Sequence, residues 1–149
     1  MTVSEALRGV ARLGLDTSPF INFVERKAPY FDRCARVFEE IDKGTVQATT
    51  GAITVTEVLV LPLRANATRL VAGYREIMTA FGPSLTVVSI DSAVADYAAD
   101  LRARYSLRTP DALQVAAALH AGCDAFLTGD KGLRCVTEIK VLVLDDLTP

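Results

Sequence analysis

Residues 107–130 read LRTPDALQVAAALHAGCDAFLTGD, and the fold turns on how this stretch is divided. Thr109 has the character of an N-cap, and Pro110 suits the first helical position, where its missing N–H is not needed. An Ala-rich helix then runs to Ala121, and Gly122 stands where a left-handed C′ residue ends a helix. "AFLT" (125–128) follows as a short buried strand. Two aspartates interrupt this apolar run: Asp111 in the first turn of the helix and Asp130 directly after the strand.

The same strand–helix alternation extends over the rest of the chain. "VARLGLDTSPF" (10–20) reads as a strand with Val10, Leu13 and Leu15 apolar, passing through Asp16-Thr17-Ser18 into a helix with Pro19 at its first position and an end near Val24. Cys34, Val37, Phe38 and Ile41 share one stripe of a helix over 32–41, and Gly44 ends it. "TVQATT" (45–50) suits a strand. The apolar segment 53–61 is read as a helix closed by Pro62, with Glu57 in its early turns. Leu70, Tyr74, Ile77 and Met78 mark a helix ending before Gly82-Pro83. "LTVVSI" (85–90) is a strand, and Asp91-Ser92 caps a helix carrying Val94, Tyr97, Ala98 and Leu101 on one face. "KVLVLDD" (140–146) is a further buried strand. Residues 1–10 read either as a short helix or as an unstructured lead. The pattern predicts an α/β fold with a mostly parallel sheet covered on both faces. In such sheets the groups at the carboxyl ends of the strands converge on one crevice.

Composition bounds the function. The chain has 149 residues and a formal charge of −2, so it is no ordinary basic nucleic-acid clamp. A chain of this size buries roughly 70% of its unfolded surface without staples. Of the 16 basic residues 12 are Arg, which favours bidentate contacts to phosphate or carboxylate. Three cysteines (34, 123 and 135) lack metal-ligand spacing, and their odd number argues against a disulfide framework; Cys34 and Cys123 read as small core residues. There is no signal-peptide pattern, and the longest apolar stretch, near VLVLPL, is too short to span a bilayer; a cytoplasmic location is the expectation. His120 is the one histidine. It lies about nine positions from Asp111, too far along the helix to share a site with it; a single histidine excludes a paired-histidine mechanism, and no nucleophile signature surrounds it for a Ser-His-Asp arrangement.

Most of the 18 acidic residues fall on polar helix faces. Asp16, Glu57, Asp111 and Asp130 do not, and the predicted topology brings them to one sheet edge. Each has an ordinary explanation when taken alone: a helix-dipole preference for Asp111, an N-cap for Asp16, a turn for Asp130, an exposed helical acid for Glu57. Taken jointly they would repel and be costly to desolvate, a cost relieved by protonation or by a hard cation such as Mg²⁺ or Mn²⁺ with oxygen ligands.

The motifs "LDTSPFI" (15–21), "TVTEVL" (54–59), "LRTPDALQVAAAL" (107–119) and "AFLTGDKGL" (125–133), in that order, resemble the PIN-domain ribonucleases, and within them the VapC-type toxins of bacterial toxin–antitoxin pairs. The similarity covers about residues 12–147. It implies a three-layer α/β/α sandwich with a mostly parallel central sheet, one PIN-like domain over 1–149 with 1–11 as an N-terminal extension. Matched motif by motif, Asp16, Glu57, Asp111 and Asp130 take the places of the family's four acidic residues, which bind Mg²⁺ or Mn²⁺. Thr128 takes the place of the hydroxyl residue that holds the site, and Thr17 or Ser18 lies in the adjoining loop. Gly132 stands where many relatives carry a further acid, which argues against a second tightly held metal ion; the resemblance alone implies one or two.

The resemblance further implies hydrolysis of RNA phosphodiester bonds, with Arg108, Lys131 and Ser18 as candidates for holding substrate. It also implies a cognate antitoxin, for which the Ala-rich helix 110–121 and the apolar helix 53–61 are the candidate surfaces, and a homodimer. A non-catalytic PIN-fold module binding RNA or protein is the main alternative. A receiver-like phosphoacceptor would need "VLVLDD" near the start of the chain, and a haloacid-dehalogenase-type phosphatase would need an acid at Ser18.

Overall fold

The computed structural model describes residues 1–149. Five strands form one sheet: β1 (Arg12–Leu15), β2 (Gln47–Gly51), β3 (Leu85–Val88), β4 (Ala125–Thr128) and β5 (Lys140–Val143). All pairings are parallel, in the order β3-β2-β1-β4-β5. The chain therefore builds outward from β1 through β2 and β3, then returns to the other side of β1 for β4 and β5. The carboxyl ends of β1 and β4 meet at this reversal, the place where a crevice opens in an open α/β sheet.

Seven helices cover the sheet: α1 (Val3–Ala6), α2 (Thr17–Val24), α3 (Phe31–Asp42), α4 (Ile53–Arg64), α5 (Thr68–Ala80), α6 (Ser92–Tyr105) and α7 (Thr109–His120). Short 3₁₀ turns follow at 82–84, 131–135 and 144–146. Two cores lie on the two faces of the sheet. Leu13, Leu15, Ala125 and Leu127 point into the first, with Phe20, Phe38, Val58 and Tyr74 from the helices. Phe126 points into the second, among Val94, Leu101, Val115 and Ala116 of α6 and α7. The strand alternation of period two thus separates the layers, and the α/β/α sandwich is as expected.

The alanines of α7 have a packing cause. Val115, Ala116, Ala117 and Ala118 are all buried, since the helix is enclosed by the sheet on one side and α6 on the other. A side chain at Gly14 of β1 would come within 2.6 Å of the Ala118 Cβ, so helix and strand approach as closely as small residues allow. The Ala-rich face is therefore core, and it is not a surface left for a partner.

Other boundaries moved. Asp16 is the N-cap of α2, with its carboxylate accepting from the Thr17 N–H at 2.8 Å. Pro19 is then the third helical residue, still among those whose N–H has no intrahelical acceptor. Arg108 is the N-cap of α7, with Thr109 and Pro110 as its first two residues. Helix α4 does not stop at Pro62 but runs on to Arg64. Proline removes the bond to the Val58 carbonyl, but the carbonyls of Leu61, Pro62 and Leu63 are all taken up, by the N–H groups of Ala65, Ala67 and Asn66. Residues 1–10 are the helix α1 with its loop. Val3 and Ala6 are buried in the first core, and Thr2 pairs with Thr148 in a parallel bridge that ties the N-terminal segment to the end of the chain.

Candidate active site

Each of the four acids is delivered by a separate element. Asp16 follows β1, and its N–H still donates to the Leu127 carbonyl of β4 at 2.9 Å. Asp130 lies two residues beyond β4. Glu57 sits one turn into α4, which leaves β2, and Asp111 sits in the first turn of α7, whose N-terminus lies at the same sheet edge. Asp16, Glu57, Asp111 and Asp130 all line one open cleft of about 550 Å³, together with Thr17, Ser18, Ile21, Asn22, Tyr30, Arg108, Gly129 and Leu144.

Exposure differs among them. Asp16 is 9% exposed and lies at the base of the cleft. Its second carboxylate oxygen accepts from the Thr128 hydroxyl at 2.6 Å. The same hydroxyl accepts from the Asp130 N–H at 3.0 Å, so Thr128, itself fully buried, couples two acids without reaching the cleft. Burial pushes the Asp16 carboxyl above the ordinary aspartate range; the hydrogen bonds from Thr128 and Thr17 oppose this, and the negative charges of Asp111 and Glu57 add to it.

A polar layer lies beneath the acids. The Thr17 hydroxyl donates to Glu57 Oε1 at 2.9 Å. The Gln114 side-chain amide donates to the hydroxyls of Thr17 (3.1 Å) and Thr54 (2.6 Å) and accepts from the Gly51 N–H at 3.1 Å. Thr50 and Thr54 share a hydrogen bond of 2.7 Å, and Thr50 also donates to the Leu15 carbonyl. Gln114 lies one turn beyond Asp111 on α7, and Thr54 one turn before Glu57 on α4, so the network locks the two helices that present these acids. The sequence reading missed Thr50, Thr54 and Gln114. For Gln114 the signal available was an amide three residues from Asp111 within an otherwise apolar helix; Thr50 and Thr54 carried none.

Arg108 is the only basic side chain on the cleft wall. Its guanidinium donates to Asp111, with Nε at 3.0 Å and Nη2 at 3.4 Å. Its pKa is raised first by that hydrogen bond and then by the charges of Asp111, Asp130 and Glu57. Ser18 lines the cleft, and its hydroxyl accepts from the Gly129 N–H at 2.8 Å. A Cβ at Gly129 would meet that hydroxyl at 2.9 Å, so a side chain there would push the Ser18 hydroxyl aside. Lys131 points elsewhere: its ammonium pairs with Asp145 at 2.8 Å, and it is not part of the cleft wall. Asp145 also accepts from the Tyr30 hydroxyl at 2.6 Å. His120 is exposed at the far end of α7. Cys34 is buried and Cys123 half-buried, the latter in hydrogen-bond contact with Thr49.

The donor set suits a hard divalent cation: four carboxylates at one cleft, with no nitrogen or thiolate ligand near them. Burial raises the Asp16 pKa first, and the charges of Asp111 and Glu57 add to it, so a cation in the cleft would find a carboxylate whose charge is costly without one. As the side chains stand, however, no three of them are gathered closely enough to hold an ion together. Asp111 is turned to Arg108, Glu57 to Thr17, and Asp130 Oδ1 to the Gly132 N–H.

Residues 14–139 match the sequence pattern of the PIN domain. The chain belongs to the PIN domain family. No curated protein matches the chain. Among solved structures, the PIN fold here is similar to the VapBC2 complex of Rickettsia felis bound to promoter DNA (12% identity, 89% of this chain and 98% of that chain, TM-score 0.65). It is also similar to a toxin–antitoxin complex from Klebsiella pneumoniae (19% identity, 89% and 97%, TM-score 0.66). A third is VapC20 of Mycobacterium tuberculosis, described as a toxin that cleaves the sarcin–ricin loop (15% identity, 87% and 98%, TM-score 0.65). No helix of this PIN-domain protein is long and apolar enough to cross a membrane.

Proposed function

We propose that this PIN-domain protein is a Mg²⁺- or Mn²⁺-dependent endoribonuclease and the toxin of a toxin–antitoxin pair. The observation that carries the reading is the convergence of four acids from four separate parts of the chain on one cleft with a single guanidinium among them. Asp16, Asp111, Asp130 and Glu57 are the residues to hold the metal. A bound ion supplies a lowered pKa for water and a counter-charge for the phosphate oxygens of the substrate.

The remaining work falls to the chain itself. Thr128 and the Thr17 N–H fix both oxygens of Asp16, which leaves that carboxylate a single orientation at the base of the cleft. Thr17 and Gln114 hold Glu57 and the start of α7 in register across the cleft. Ser18, in the first turn of α2, ties that helix start to Gly129 in the loop that follows β4. Arg108 is the group to take a flanking phosphate, through a charge-assisted contact that carries no sequence information.

For an antitoxin, α4 offers the free apolar surface. Leu61 (70% exposed) and Leu63 (51%) are exposed, and a groove of about 240 Å³ lined by Ile21, Val58, Leu61, Pro62 and Leu70 runs up to Glu57. A homodimer is part of the same proposal.

The test is purified protein with single-stranded and structured RNA in Mn²⁺ or Mg²⁺, against chelator. Cleavage that requires metal and disappears in Asp111→Asn and Asp130→Asn is the expected result. The second reading, a non-catalytic PIN-fold module, draws on the absence of three gathered carboxylates. It gains if neither RNA is cut under either metal.

A further inference from the structure

Arg108 occupies a position that helix formation does not explain. The N-cap favours Ser, Thr, Asp or Asn, whose side chains accept from free N–H groups. Arg108 makes no such bond, and it sets a positive charge at the positive end of the α7 dipole. The acids explain it instead. Its guanidinium bonds both oxygens of Asp111, and it is the only cation on the cleft wall. Other arginines near acids are clamped outside the cleft: Arg104 by Asp100 and Glu138, Arg134 by Asp146.

Two features make the Arg108 contact reversible. The side chain is 78% exposed, so little solvation is lost or gained when it swings away. The guanidinium also keeps donors in its planar fork that no protein acceptor uses, and this fork matches a phosphate. A divalent ion in the cleft needs the same Asp111 oxygens and repels the guanidinium beside them. Metal and Arg108 therefore compete for the Asp111 carboxylate.

We infer that Arg108 is a resident counter-ion that a divalent cation must displace from Asp111, and that the freed guanidinium is handed to a backbone phosphate of the nucleic acid. This rests on the metal-dependent reading of the cleft above. It goes beyond that reading in coupling the two ligands. Phosphate draws Arg108 away from Asp111 and so favours metal; metal releases Arg108 and so favours phosphate. Reciprocity of linkage requires the two effects to be equal.

The experiment is calorimetric titration of the full chain with Mn²⁺, alone and with a short single-stranded oligodeoxynucleotide whose integrity is checked on a gel. The proteins are the parent, Arg108→Gln, Arg108→Lys and Asp111→Asn. Arg108→Gln is expected to bind Mn²⁺ about three- to tenfold more tightly than the parent and the oligonucleotide several-fold more weakly. Arg108→Lys, keeping the charge without the fork, is expected to fall between them. The oligonucleotide should tighten Mn²⁺ binding in the parent and do so less in Arg108→Gln. A purely structural role would lower the unfolding temperature and leave Mn²⁺ affinity unmoved. Equal or weaker Mn²⁺ binding by Arg108→Gln overturns the proposal, as does unchanged oligonucleotide affinity. If the parent itself binds no Mn²⁺, the metal-dependent reading falls with it; if the parent and not Asp111→Asn binds Mn²⁺ but Arg108→Gln matches the parent, only the displacement is refuted.

Discussion

The two ends of β4 carry aspartates in opposite circumstances. At its amino end, one carboxylate oxygen of Asp124 accepts from the Ala11 and Arg12 N–H groups, both at 2.9 Å. The Asp124 N–H donates to the Arg12 carbonyl at 2.8 Å, and the Arg12 guanidinium donates to the Ala121 carbonyl at 2.9 Å. That acid joins two strands and has its own donors. At the carboxyl end, the Asp130 carboxylate accepts only from Gly132, two residues on, while Asp16 is buried and feels the negative charges of Asp111 and Glu57. The lesson is that a lone acid tied to the backbone of a neighbouring strand holds the fold together, whereas several acids gathered at one cleft, each held only by a neighbour close in its own segment or by a side chain, are arranged for something that arrives later.

Substitutions can break this contrast, and the largest effect belongs to the carboxyl end. Asp111→Asn and Asp130→Asn should lower metal-dependent RNA cleavage by about 10²–10³-fold, judged from losses seen when one charge-stabilising group is removed from an active site. In chelator the same variants should unfold at the parent temperature or above it, because a repulsive charge has been removed. A cleavage rate equal to the parent's would make these acids ordinary.

Next is the layer beneath the cleft. Gln114→Ala strands the Gly51 N–H and leaves the Thr17 and Thr54 hydroxyls without their donor. A loss of about 2–3 kcal/mol in urea unfolding is expected. If stability is unchanged, the network is not what holds α4 and α7 together. Thr128→Val, close in shape, should cost about 1–2 kcal/mol by removing the hydroxyl that links Asp16 to the Asp130 backbone.

The smallest effect is the sharpest control. Asp124→Asn should cost about 1 kcal/mol in the same unfolding experiment, with metal-dependent cleavage and metal-induced stabilisation as in the parent. A large change in either would erase the distinction between the two strand ends.

Much of this was legible in the sequence because punctuation and chemistry coincide. Asp16 stands between an apolar strand and Pro19, Asp111 follows Pro110, and Asp130 follows Gly129; each acid sits where an element begins or ends. A parallel sheet then brings those places together without further information. What was not legible depends on partners distant in the chain. Pro62 stays inside α4 because the carbonyls of Leu61, Pro62 and Leu63 find donors at 65–67, a fact about the following loop. Lys131 turns away because Asp145 is in reach. The alanines of α7 resemble an open face until Gly14 shows how closely the strand lies against them. The hydroxyls of Thr50 and Thr54 are unremarkable in a strand and a helix, and only the Gln114 amide between them reveals a network.

Diffraction from crystals grown with Mn²⁺, measured at the metal's absorption edge, reads the central claim with no assay of activity. An anomalous peak inside the cleft, in ligating contact with Asp16 and with Asp111 or Asp130, and with the Arg108 guanidinium moved off Asp111, is the predicted result. At saturating Mn²⁺, a map with no peak there, or with its strongest peak at Asp124 or another surface acid, contradicts the account.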